Sequence, residues 1–95
     1  AVFAATDNLA IGSIHAAKKA GLKIPDDISI VGFDDIMSSS YIEVPLTTVL
    51  QPKFEIGKLS AQLLIERINK SDSKFIQQIV LKPELVVRET VAKIR

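Results

Sequence analysis

The 95 residues suffice for one small domain, and their composition, 47% apolar and 24% charged with a net charge of +1, is that of a globular chain rather than a disordered one. So small a charge leaves no polybasic signature for direct contact with nucleic acid or an acidic membrane. The absence of cysteine excludes disulfides, thiolate metal sites and cysteine nucleophiles, and no apolar run approaches the length of a bilayer span.

The chain opens on Ala1-Val-Phe-Ala-Ala5, which reads as a buried strand. A core strand at the first residue, with no initiating Met, leads us to expect that the natural N-terminus lies further upstream. Thr6 and Asp7 are N-cap residue types, and a helix is predicted from there to about Ala20. Gly21 fits its C′ position, where a left-handed backbone is needed, with Pro25 just beyond. Ala10, Ile11, Ile14 and Ala17 share one face, while Leu9, Ala16 and Ala20 add apolar surface elsewhere. The polar stripe of Ser13, Lys18 and Lys19 is narrow, so this helix is expected to be covered on two sides. Gly12 within it costs about 1 kcal/mol relative to Ala, which close packing would offset.

Ile28–Phe33 is a second strand of β-branched residues. Strand, helix and strand within about thirty residues form a βαβ unit, hence a parallel pair with a right-handed crossover. Residues 34–45 read as a loop, Leu46–Leu50 as a third short strand, and Gln51-Pro52 as its breaker. A second helix runs from about Lys53 to Asn69, with Ile56, Leu59, Leu63 and Ile68 as its apolar stripe, widened by Leu64. Residues 70–75 form a polar loop. Ile79-Val-Leu81 and Leu85-Val-Val87 close the chain as one long strand or two short ones around Pro83. The strands are too few and too apolar for a self-contained doubly wound domain, because parallel strands want both faces and both neighbours covered.

Chemistry is expected at Gly32-Phe33-Asp34-Asp35. In an open parallel sheet, ligands bind outside the carboxyl ends of the strands. Asp34 and Asp35 stand at one such end, Thr6 and Asp7 at another. Carboxylates there accept charge-assisted hydrogen bonds from sugar or nucleoside hydroxyls. The structural alternative is that Asp7 caps its helix and Asp35 starts a turn, and it weighs more for these two than for Asp34. His15, the only histidine, has no partner set for zinc. No serine lies on a nucleophile-elbow pattern, and Gly12, Gly21, Gly32 and Gly57 never cluster into a phosphate cradle. We therefore expect no catalytic residue, no metal and no cofactor.

The order of motifs resembles the lactose-repressor/galactose-repressor family of bacterial transcriptional regulators. The similarity is carried by Thr6-Asp-Asn-Leu-Ala-Ile-Gly12, by Gly21-Leu-Lys-Ile-Pro25 through Val31-Gly-Phe-Asp34-Asp35, by Pro45-Leu-Thr-Thr-Val49 with Gln51-Pro52 and Ile56-Gly57, and by Leu85-Val-Val-Arg88-Glu-Thr90. It implies an α/β chain from a two-lobed, periplasmic-binding-protein-like (type I) fold, a parallel sheet with flanking helices in the order β-α-β-β-α-β(-β). Residues 1–50 would be a βαββ segment of the C-terminal lobe, 51–77 a crossover and helix belonging to the N-terminal lobe, and 78–95 closing strands of the C-terminal lobe. The first part of the effector domain and the DNA-binding head would lie outside this chain.

The same resemblance implies ligand contacts at Asp34, Thr6 and Asp7, with Thr6 standing where many members carry Asn. It implies a hinge at Gln51 and Pro52, and a homodimer surface at Leu9, Ser13, Ala16, Met37, Tyr41 and Pro45. The implied function is that of a cytoplasmic allosteric sensor of a small effector, a sugar or sugar derivative, acting on operator DNA through the head, with no membrane partner. The alternative on the same architecture is the sugar-binding protein of an ABC-type transporter. A helix-turn-helix or a signal peptide upstream would tell the two apart.

Overall fold

The computed structural model describes residues 1–70 and 77–94. The chain divides into two compact units, residues 1–51 with 84–95, and residues 52–83.

In the first unit, β1 (Val2–Phe3) and β2 (Ile30–Val31) pair in parallel, Val2 opposite Ile30 and Phe3 opposite Val31. A parallel pair needs a crossover, and α1 (Asp7–Lys19) supplies it. β3 (Thr48–Leu50) continues the parallel arrangement through bridges from Val31 to Thr47 and from Asp34 to Leu50. β4 (Glu84–Val86) adds antiparallel to β3, with Val49 opposite Leu85. The strands thus lie in the order β1-β2-β3-β4, with only the last reversed.

Both ends of α1 are locally determined. Thr6 is the N-cap, its Oγ1 accepting from the Leu9 N–H at 3.2 Å. At the other end Gly21 has φ +83°, a conformation that strains residues with a side chain. The Leu22 N–H reaches the Ala17 carbonyl at 2.9 Å and the Gly21 N–H reaches Lys18 at 3.0 Å, the double closure of a Schellman motif. Asp7 in the first turn and Lys18 and Lys19 in the last complement the helix dipole. Ala10, Ile14 and Ala17 face inward, and Ala10 and Ile14 join Ala4, Ile30 and Leu46 in the core.

Only that face of α1 is covered. Leu9, Gly12 and Ala16 are exposed, and nothing stands within 4 Å of where a Gly12 Cβ would be. The two-sided cover expected from the narrow polar stripe, and the packing expected to offset Gly12, are not supplied by the described residues.

Beyond β4 the chain crosses the sheet again. Ile30 donates its N–H to the Thr90 carbonyl at 2.9 Å. The buried Thr90 hydroxyl donates to the Ile30 carbonyl at 2.6 Å and accepts from the Thr47 N–H at 2.9 Å. One threonine therefore satisfies backbone groups on β2 and at the start of β3, where an unpaired buried group would be expensive.

In the second unit, α2 (Lys53–Asn69) has the extent that its periodicity predicts. None of its residues is buried. Leu59 and Leu63 are half-covered, whereas Phe54, Leu64, Ile65 and Ile68 are exposed. The strand expected over Ile79–Leu81 does not form, since residues 77–83 are irregular and pairing starts at Glu84. Pro83 has no N–H to donate, so the ladder with β3 begins just after it. Residues 71–75 of the expected polar loop lie outside the described residues. Among the described residues, no helix is long and apolar enough to cross a membrane.

Candidate functional site

Because β1, β2 and β3 run parallel, their carboxyl ends share one rim. β1 leads into Thr6 and Asp7, β2 into Phe33-Asp34-Asp35, and β3 into Gln51. These are the positions at which parallel sheets present ligand groups.

Asp7 departs from that expectation. It is fully buried, and its carboxylate turns inward. Oδ2 accepts from the Ser39 hydroxyl at 2.6 Å and from the Ile36 N–H at 2.9 Å, and Oδ1 accepts from the Thr48 hydroxyl. Burial by itself pushes this carboxyl up. The hydrogen bonds from Ser39, Thr48 and the backbone of Ile36 and Asp35 outweigh it and hold the pKa below the ordinary carboxylate value. Gly32 makes room for this arrangement: a Cβ there would collide with Asp7 Oδ1 and come within 2.9 Å of Leu46 Cδ2. The helix cap belongs to Thr6, not Asp7, and Asp7 is the anchor of the loop that follows β2. Thr6 itself is exposed at the rim, and its hydroxyl keeps an O–H to donate.

Asp34 and Asp35 form a strained turn, with φ +129° and +56°. Non-glycine residues in such conformations cost about 1–3 kcal/mol each and persist only where surrounding contacts over-determine them. Several contacts do so here. The Asp34 N–H bonds the Val49 carbonyl at 2.8 Å, and the Ile36 N–H bonds Asp7. Asp34 Oδ1 accepts from Gln51 Nε2 at 3.5 Å, the outer limit of a hydrogen bond. Asp35 pairs with the Arg88 guanidinium at 2.7 Å, both side chains being less than one-fifth exposed (17% and 19%). Arg88 also donates to the Leu46 carbonyl from Nη1 at 2.9 Å and from its own N–H to Thr47 Oγ1 at 2.9 Å. The turn expected at Asp35 is present, but sequence reasoning missed its partner. The available signal was a lone arginine inside the apolar closing segment Leu85-Val-Val-Arg88.

The residues expected at a dimer surface fall on two neighbouring elements. The loop from Ile36 to Glu43, which includes a single 3-10 turn at Met37–Ser40, runs alongside α1. Asp7 ties it at one end, and a Lys18–Glu43 ion pair of 2.7 Å ties it at the other. Leu9, Ala16, Met37 and Tyr41 are exposed, and Pro45 is half-buried. Ser13 is also half-buried and donates to the Leu9 carbonyl at 3.0 Å. His15 is exposed on α1, away from these polar contacts.

A parallel α/β unit with polar groups at its strand ends has the architecture in which open sheets place ligand sites. The chain belongs to the periplasmic binding protein-like domain family, which it matches over residues 1–91. It is 40% identical over 95 residues to the ribose operon repressor of Haemophilus influenzae, covering all of this chain and 28% of that protein. Among solved structures, it is similar to a LacI family transcriptional regulator from Enterococcus faecalis V583 with bound ribose. The TM-score there is 0.89 at 38% identity, over 98% of this chain and 34% of that one. It is also similar to the lac repressor dimer bound to operator and the anti-inducer ONPF, with a TM-score of 0.82 at 34% identity, over 94% of this chain and 30% of that one. The family and the fold implied by the motifs therefore hold. The chain spans 28% of the length of that curated relative.

Proposed function

We propose that this chain is the effector-sensing and dimerisation portion of a longer, cytoplasmic transcriptional repressor. A small ligand of the sugar class is bound between two lobes, and operator DNA is engaged through a head outside this chain. The observation that carries this reading is Asp34. It is a carboxylate at the carboxyl end of a parallel strand, held in a backbone conformation that only an over-determined site sustains. The relative named for ribose and the ribose-bound neighbour make ribose the first ligand to try.

In this reading Asp34 accepts from ligand hydroxyls, Thr6 donates from the neighbouring strand end, and Asp7 acts from below by fixing the loop. Gln51 and Pro52 serve as the hinge between lobes, with residues 51–77 forming the crossover and the helix that belongs to the other lobe, and the chain returning through β4. Leu9, Gly12, Ser13 and Ala16 follow helical spacing and form a low face beside Met37, Tyr41 and Pro45, which suits a homodimer contact. The ligand works by binding one lobe arrangement more tightly than the other, which shifts their populations and so the affinity of the heads for operator. The relatives being regulators, no catalytic role is assigned. The transporter alternative has no support from them.

Thermal unfolding of the full-length protein with ribose tests the proposal. Ligand at one hundred times its dissociation constant should add about 2.7 kcal/mol of stability. Asp34→Asn should weaken binding by about 1.5–3 kcal/mol, more than Asp35→Asn does. Equal losses would identify the wrong carboxylate.

A further inference from the structure

The turn at Asp34 and Asp35 is met from both points at which the chain passes between its two units. Gln51, the last residue before the outward passage, donates to Asp34. Arg88, two residues beyond the end of the returning strand β4, pairs with Asp35. Arg88 is itself immobilised: its other guanidinium nitrogen holds the Leu46 carbonyl and its backbone holds Thr47. A planar guanidinium can span a carboxylate and a carbonyl at fixed angles, which the point charge of a lysine cannot reproduce. The turn it meets needs such support, because two consecutive non-glycine residues there hold positive φ.

We infer that Arg88 and Asp35 are positioning residues: their ion pair holds the two-aspartate turn in the shape that presents Asp34, and links that turn to the strand by which the chain re-enters the first unit. This deepens the ligand-sensing reading and rests on it. A shift of β4 would be transmitted to the ligand-facing carboxylate through one rigid side chain, and ligand bound at Asp34 would restrain β4 in return, as linkage requires.

The test uses the full-length protein as Arg88→Met, Asp35→Asn, the double variant and Arg88→Lys. Hydrogen exchange is followed without ligand, and ribose binding by calorimetry. Both single variants should exchange about tenfold faster at residues 33–36 and bind ribose about tenfold more weakly, a loss equivalent to 1.4 kcal/mol. The double variant should be no worse than Arg88→Met alone, since that change already breaks the ion pair and the Leu46 contact is lost with Arg88 in both. Arg88→Lys should behave like Arg88→Met, because charge alone is not the device. Faster exchange confined to residues 84–88 would mean that Arg88 only staples β4, and would overturn the inference. So would losses that multiply in the double variant. A wild-type protein that ignores ribose would sink the ribose reading, while the exchange pattern would still decide the role of the ion pair.

Discussion

Helices α1 and α2 are both amphipathic by pattern, yet α1 buries Ala10, Ile14 and Ala17 whereas α2 buries nothing. Their ends differ in the same sense. α1 begins on a Thr6 cap and closes on Gly21 in a left-handed conformation. α2 begins at Pro52 with no side-chain cap and ends at Lys70 with φ −122°. The first helix has one face covered by contacts within its own unit. The second carries Phe54, Leu64, Ile65 and Ile68 toward solvent, a face that the other lobe would cover in the two-lobed arrangement we propose. A periodic apolar stripe states that a face wants a partner, not which segment supplies it.

The largest effect that would break this contrast is expected at Asp7. Asp7→Ala leaves the Ser39 and Thr48 hydroxyls and the Ile36 N–H without their acceptor, and should destabilise the protein by about 3 kcal/mol or more in urea unfolding. A loss below about 1 kcal/mol would mean that the loop is anchored elsewhere. The same carboxylate sets an acid limb. Its pKa is lower in the folded state than in the unfolded chain, so its contribution is present above the ordinary carboxylate pKa and drains away as pH falls through the folded value. Stability measured from neutral pH downward should therefore fall less steeply in Asp7→Asn than in the wild type, and parallel curves would contradict the assignment.

Gly32→Ala comes next. The added methyl meets the Asp7 carboxylate, which its donors hold in place, and the buried Leu46, an overpacking worth about 1–3 kcal/mol in the same measurement. A neutral result would show that the Asp7 carboxylate can move off its donors. The smallest effect is expected in α2. On the contacts within this chain, Phe54→Ser should change stability by no more than about 0.5 kcal/mol, since the ring is 78% exposed. Repeated in the full-length protein, the same change should cost about 3 kcal/mol if another lobe covers the ring. Matching small values in both would remove the distinction drawn between the two helices.

Much of the frame was readable in advance. The inward face of α1, the left-handed Gly21, the parallel pairing of β1 with β2 and the span of α2 all follow from periodicities and turn chemistry. Asp34 at the rim followed from its position after a strand. The fate of Asp7 did not, because an acidic residue in the first turn of a helix reads equally well as a cap, a dipole partner or a ligand group. Ile79–Leu81 looked like a strand by composition, but strand formation needs a neighbouring backbone, and β3 pairs only from Glu84 onward.

What the sequence by itself determined are the features whose energies are local. A cap acts within three residues, a Schellman closure within five, and an apolar stripe within two turns, so α1, α2 and their boundaries were written in consecutive residues. What only the tertiary structure decided is where the charges went. The donors that draw Asp7 inward stand 29, 32 and 41 residues away along the chain, and they reach it only because Gly32 leaves a gap beside Ala10 and Leu46. Asp35 finds Arg88 in the same way, across strands that must first assemble. A carboxylate costs too much to bury until such partners are in place, so its position is settled by the assembled fold and not by its neighbours in sequence.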